Sequence, residues 1–111
     1  MNQPKPHKHD RLTSYIKESS AEFIQKESNG KSLITVTDVM LSNDNKRATI
    51  LVSVLPATQE PAVLDFLKRN ISELRAFISN KTKIGVIPFL DVKIDFGEKN
   101  RQRLDEISNS L

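Results

Sequence analysis

The order in which hydrophobic patterns change along this chain limits its fold more than any single motif does. A helical period from Leu12 to Ile24 gives way to two alternating strands around a turn at Asn43-Asp44-Asn45. A second helical stretch runs from Pro61 to Lys83, and a further alternating run follows, Leu90-Asp91-Val92-Lys93-Ile94-Asp95-Phe96. This α-β-β-α-β order predicts an α+β domain, with a three-stranded sheet covered by helices on one face and solvated on the other. A basic second helix in such a frame points toward nucleic-acid binding rather than catalysis.

The first helix is predicted over about 8–28, with Leu12, Tyr15, Ile16, Phe23 and Ile24 on one stripe that passes through Ser19 and Ser20. Asn29-Gly30 supplies its stop, since both residues tolerate the left-handed backbone of a C-cap. Strands are predicted at Leu33–Leu41 and Arg47–Leu55, paired as an antiparallel hairpin through Ser42-Asn43-Asp44-Asn45. In the second strand Ala48, Ile50, Val52 and Val54 share the core side. In the third, Leu90, Val92, Ile94 and Phe96 face the core, while Phe89, Asp91, Lys93 and Asp95 face away. Residues 1–7 read as a disordered polar tail, and 8–111 as one domain closed by a short helix at Glu98–Leu111.

The long helical stretch carries an apolar seam at Val63, Leu67, Ile71, Leu74 and Ile78. Midway, Asn70-Ile71-Ser72-Glu73 matches an N-cap followed three residues later by Glu, which predicts a break with Asn70 as the cap of the second half. A continuous helix with Asn and Ser facing solvent is the alternative. Charge concentrates in the same region. Residues 68–85 carry Lys68, Arg69, Arg75, Lys81 and Lys83 against Glu73, so five positive and one negative charge leave +4, in a chain whose total is +3. Such an excess is a footprint for phosphate, though a helix can also carry a basic face for solubility alone.

Catalytic and metal chemistry find no support. Cysteine is absent, which excludes disulfides and thiolates. His7 and His9 could share a metal only with further ligands, and none follows at a suitable spacing. Asp91 and Asp95 share a strand face, but no pocket-forming partner accompanies them. The three glycines, at 30, 85 and 97, are isolated and form no phosphate-cradling loop. No apolar run approaches the roughly 18 residues of a membrane span, and the N-terminus shows no signal-peptide core, which is compatible with the cytoplasm. No enzyme activity and no cofactor are expected.

These residues resemble the ribosome-binding factor A family, the bacterial assembly factors of the small ribosomal subunit. The resemblance covers about residues 8–108. Arg11 and the stripe after it are similar to the family's opening helix. Val36-Thr37-Asp38-Val39-Met40-Leu41-Ser42-Asn43-Asp44, then Ala48 and Val52-Ser53-Val54, resemble its hairpin. Leu74-Arg75-Ala76-Phe77-Ile78, followed by Ile87-Pro88-Phe89-Leu90 and Asp95, resembles its block of an arginine-bearing helix leading into a Val-Pro-x-Leu strand. The resemblance implies a type II KH-like fold and binding to 16S rRNA during late maturation of the 30S subunit. The family's interhelical kink has the form Ala-x-Gly, whereas Asn70-Ile71-Ser72 stands here; Gly85-Val86 departs where the family often carries an arginine. The long charged C-terminal tail of some members is also not matched.

Two functions are therefore expected in competition. The leading one is a monomeric, non-enzymatic rRNA-binding assembly factor, with Lys68, Arg69, Arg75, Lys81 and Lys83 on phosphates and with Arg11, Lys46 and Arg47 extending the patch. Its binding should depend on charge and shape more than on aromatic stacking, because most of the six aromatics fall at core positions. The other is a protein-interaction module docking through the outward row Thr35, Thr37, Thr49 and Ser53 or through an edge strand.

Overall fold

A computed structural model describes residues 8–27, 30–81 and 86–97. The expected tail at 1–7, Asn29, Lys83, Gly85 and the expected helix at 98–111 lie outside the described residues.

Helix α1 (Lys8–Glu27) buries Leu12, Ile16, Ser20 and Ile24 on one i, i+4 line, with Ser19 and Phe23 beside it. Tyr15, expected on that stripe, is 44% exposed. It lies about 100° around the helix from Ile16, and the stripe is too narrow at that turn to include it. Both serines are buried, and Ser20 Oγ has no hydrogen-bond partner. Gly30 then turns the chain with φ +77°, a backbone that only a residue without Cβ adopts at little cost.

Strands β1 (Leu33–Leu41) and β2 (Arg47–Leu55) pair antiparallel, as expected from their alternation and turn. The Ser42 carbonyl accepts from Asn45 N–H at 2.9 Å, and Asn45 takes φ 60°, which aligns the chain for the return strand. Strand β3 (Phe89–Ile94) runs parallel to β2 on its other side, giving the sheet order β1-β2-β3. The pleat puts Val36, Val39, Ala48, Ile50, Val52, Val54, Leu90, Val92 and Ile94 beneath the helices. Phe96, expected to continue that row, is 64% exposed. The last backbone link to β2 is Asp95 N–H to the Val52 carbonyl, at 2.8 Å, and the chain turns helical at once. Beyond that link the pleat no longer assigns sides.

One irregularity escapes the alternation. Thr37 and Asp38 together oppose Leu51, a bulge that keeps both Val36 and Val39 facing inward. The Thr37 hydroxyl reaches across β2 to Asp95 Oδ2 at 2.5 Å and also lies 3.2 Å from the Leu51 carbonyl oxygen. Asp95 is thereby half-buried and tied to the sheet rather than simply solvated.

After Pro56 and a short 3-10 turn (Ala57–Gln59), the helical stretch forms α2 (Glu60–Arg69) and α3 (Ile71–Lys81). Val63, Leu67, Leu74 and Ile78 are buried from this seam, with Ile71 partly so. The α-β-β-α(kinked)-β order is that of the type II KH-like fold.

Candidate nucleic-acid interface

The break between α2 and α3 falls at Asn70, but not by the mechanism the capping pattern suggests. Asn70 has φ −104° and ψ 18°, outside the extended region in which an N-cap side chain can reach forward to the next turn. Its side chain turns back instead, and Nδ2 donates to the Phe66 carbonyl at 2.8 Å. The Asn70 backbone N–H adds bonds to Phe66 and Leu67 carbonyls at 3.2 Å each, and its own carbonyl accepts from Leu74 N–H at 2.9 Å. Asn70 therefore closes α2 as its C-cap and opens α3 with backbone alone. Ser72 is exposed in the first turn of α3, and Ile71 packs against the core.

Lys68 and Arg69 occupy the last turn of α2, exposed at the edge of this break. Arg69 Nη2 lies 3.2 Å from Asp65 Oδ2, one turn earlier, a solvent-exposed pair that holds the guanidinium only weakly. Helix α3 carries the other cations, and they are engaged by the fold. Arg75 Nη1 donates to the Pro88 carbonyl at 2.6 Å, which fastens α3 to the entry of β3. Lys81 Nζ lies 3.0 Å from Glu22 Oε1 and 5.5 Å from the centre of the Phe77 ring. Lys26 approaches the same carboxylate at 3.6 Å and the same ring at 5.3 Å, and Phe77 meets Phe23 at 5.6 Å. The Lys81 hydrogen bond is the main reason the Glu22 carboxyl sits below its ordinary range. This cluster joins α1 to α3.

Lys46 and Arg47 are exposed where the hairpin returns into β2. The turn before them is locked by its own polar groups. Ser42 Oγ donates to Asp44 Oδ1 at 2.6 Å and accepts from Arg47 N–H at 3.0 Å, while Lys46 N–H donates to Asp44 Oδ1 at 3.1 Å. The Ser42 hydroxyl, and then the Lys46 N–H, hold the Asp44 carboxyl below its usual range. Arg47 stands in register with Phe89 of β3, and the Lys46 carbonyl accepts from Phe89 N–H at 2.8 Å. Arg11 is exposed on the first turns of α1, in a shallow surface groove with Tyr15 and Glu18.

The expected contact cations thus fall in separate places: Lys68 and Arg69 at the break, Lys81 at the α1–α3 seam, Arg11 on α1, and Lys46 and Arg47 at the hairpin base. Arg75 is bonded through the Pro88 carbonyl to the strand that meets the hairpin. Phe89, 75% exposed beside Arg47, is an aromatic whose place the expectation of a surface governed by charge and shape left open. Its signal was an aromatic at a solvent-facing position of the third strand. Among the described residues no three His, Cys, Asp or Glu side chains gather as a metal site, and no helix is long and apolar enough to cross a membrane.

Comparison with known proteins points to one family. The family model described as Ribosome-binding factor A matches residues 8–108. A relative of that description from Thermodesulfovibrio yellowstonii is 34% identical over 106 residues, covering 90% of each chain. The crystal structure of ribosome-binding factor A from Thermus thermophilus superposes with a TM-score of 0.69 at 25% identity, covering 79% of this chain and 97% of that one. A Thermus thermophilus ribosome binding factor A homology model, fitted into the cryo-EM map of a 30S complex, superposes at 0.66 with 26% identity over 75% of this chain and 90% of that one.

Proposed function

The chain belongs to the ribosome-binding factor A family, and from that membership we propose that it binds 16S rRNA of the small ribosomal subunit during late maturation, as a monomeric cytoplasmic assembly factor without catalytic activity. The observation that carries this reading is the pair Lys68 and Arg69, exposed in the last turn of α2 at the Asn70 break. Two long cations at a helix corner can straddle a sugar-phosphate backbone without unfolding anything to reach it. The Thermus thermophilus protein fitted into a 30S map shares the fold at 26% identity, which supports the same partner here.

The remaining cations take graded roles. Lys46, Arg47 and Arg11 are exposed and extend the phosphate contacts to the hairpin and α1. Arg75 and Lys81 contribute partly through the fold, because each already bonds within the protein. Lys83 belongs to the same basic segment. About five phosphate contacts give a slope of log K against log salt of roughly −3.5 to −4.5.

Co-sedimentation with purified 30S subunits at increasing potassium chloride tests the proposal. The expected result is binding that weakens with that slope, with Lys68→Glu and Arg69→Glu reducing affinity and flattening it. Binding indifferent to salt and to both substitutions would remove the electrostatic reading and favour protein docking.

A further inference from the structure

Phe89 is held in place by its backbone rather than by packing. It opens β3 with 75% of its surface in water. Its N–H donates to the Lys46 carbonyl at 2.8 Å, and the carbonyl of the preceding residue, Pro88, accepts from Arg75 Nη1 at 2.6 Å. The parallel register sets Arg47 abreast of it on the open face of the sheet. An aromatic ring buries more apolar area than almost any other side chain, so leaving one in water forgoes a large stabilisation. Val86, 85% exposed and three residues earlier, lines with Arg75 a groove of about 390 Å³. Two acids lie on the same side: Asp91, whose Oδ1 accepts from Val92 N–H at 2.8 Å, and the half-buried Asp95, which is bonded to the Thr37 hydroxyl.

An open aromatic face with a cation beside it has the chemistry that recognises an unpaired nucleotide. The base stacks on the ring, and its phosphate meets the cation. An apolar protein surface would have to dehydrate Arg47 to reach the same ring, whereas RNA brings the charge that neutralises it. We infer that Phe89, with Arg47 abreast of it, is a stacking site for one unpaired RNA base on the open face of the sheet. This inference rests on the rRNA-binding reading above and adds a base contact apart from the α2–α3 break.

The chain contains no tryptophan, so Phe89→Trp places a single fluorescent reporter at the site. The full chain carrying Phe89→Trp, Phe89→Leu or Phe89→Ala is titrated with single-stranded oligoadenylate, with an A-form duplex of equal length, and with purified 30S subunits. Loss of one stacked base should weaken oligoadenylate binding about tenfold in Phe89→Leu and Phe89→Ala. Phe89→Trp should bind at least as tightly as the unaltered chain, with its emission quenched by the single strand and not by the duplex. Unquenched emission at saturating oligoadenylate, or unaltered affinity in Phe89→Leu, overturns the stacking site. So does a subunit affinity that Phe89→Ala loses and Phe89→Leu keeps, the signature of an apolar protein contact. If the unaltered chain binds neither subunits nor oligoadenylate, the rRNA reading fails and the stacking site with it. If it binds subunits with the expected salt slope and every Phe89 variant does the same, the stacking site alone fails.

Discussion

Replacing Asn70 by Asp separates the two ways in which that residue could break the helix. In the structure its side chain is a donor, with Nδ2 at 2.8 Å from the Phe66 carbonyl in a half-buried position. A neutral hydrogen bond of this kind contributes about 1 kcal/mol net. Asn70→Ala removes the bond and should cost about that much, since the backbone at φ −104° and ψ 18° is not helical and alanine's helix preference has little to act on. Asn70→Asp should cost more, about 1–2 kcal/mol, because an ionised carboxylate cannot donate and faces a carbonyl oxygen. If Asn70 were instead the N-cap of α3, Asp would be an equal cap and would gain from the helix N-terminus, leaving stability unchanged or raised. Urea denaturation at neutral pH reads the difference. In a domain of this size each kcal/mol moves the melting temperature by roughly 4–8 °C. The Asp variant carries an internal control, for at acid pH its carboxyl regains an O–H donor and the deficit relative to the unaltered chain should shrink. An Asp variant as stable as the unaltered chain at neutral pH would refute the donor role.

Ser20→Ala should stabilise the protein by about 1 kcal/mol, because it removes a buried hydroxyl that has no partner and places a better helix former mid-helix; thermal unfolding reads this, and a lower melting temperature would contradict it. Val92→Ala, at a fully packed position of β3, should cost about 1–4 kcal/mol, whereas Lys93→Ala on the open face should cost under about 0.5 kcal/mol; equal losses in chemical denaturation would mean that the strand register is wrong. Asp44 has a carboxyl depressed by Ser42 and Lys46, so its contribution is present above its unfolded value and is lost as pH falls through its lower folded value; Asp44→Asn should abolish that acid-induced loosening of the hairpin, followed by NMR of the Asn45 and Lys46 amides.

Much of the fold could be read from residue order because a half-buried sheet enforces its period. Ala48, Ile50, Val52 and Val54 can lie on one side only, and the turn residues between Leu41 and Arg47 leave the hairpin a single register. The errors occur where periodicity stops being the controlling force. Tyr15 falls at the margin of a stripe narrowed by two serines, and Phe96 follows the last hydrogen bond to β2. The bulge at Thr37 was missed although it leaves a trace, because Val36 and Val39, three apart, both stay inward and unbroken alternation would not allow that. At Asn70 the break itself was legible, but the direction of the amide was not, for Asn both donates and accepts and only the backbone angles decide between them. The cations had the same ambiguity: a run of Lys and Arg cannot reveal that Arg75 reaches Pro88 or that Lys81 reaches Glu22, whose partners lie 13 and 59 residues away.

Strand β2 has neighbours of unequal origin. On one side it pairs with β1 through a turn a few residues long; on the other it pairs with β3 only after the chain has traversed both α2 and α3. A short hairpin closes in microseconds, while a parallel pairing must first meet the entropy of the long loop. Assembly therefore runs outward from the hairpin, and the far edge of β2, from Arg47 to Val52, stays open until β3 arrives. During synthesis that edge emerges from the ribosome before its partner strand has been translated. For that interval it is a template for any extended segment nearby, and the rate at which α2 and α3 collapse over Ile50 and Val52 governs how long the nascent chain remains open to mispairing.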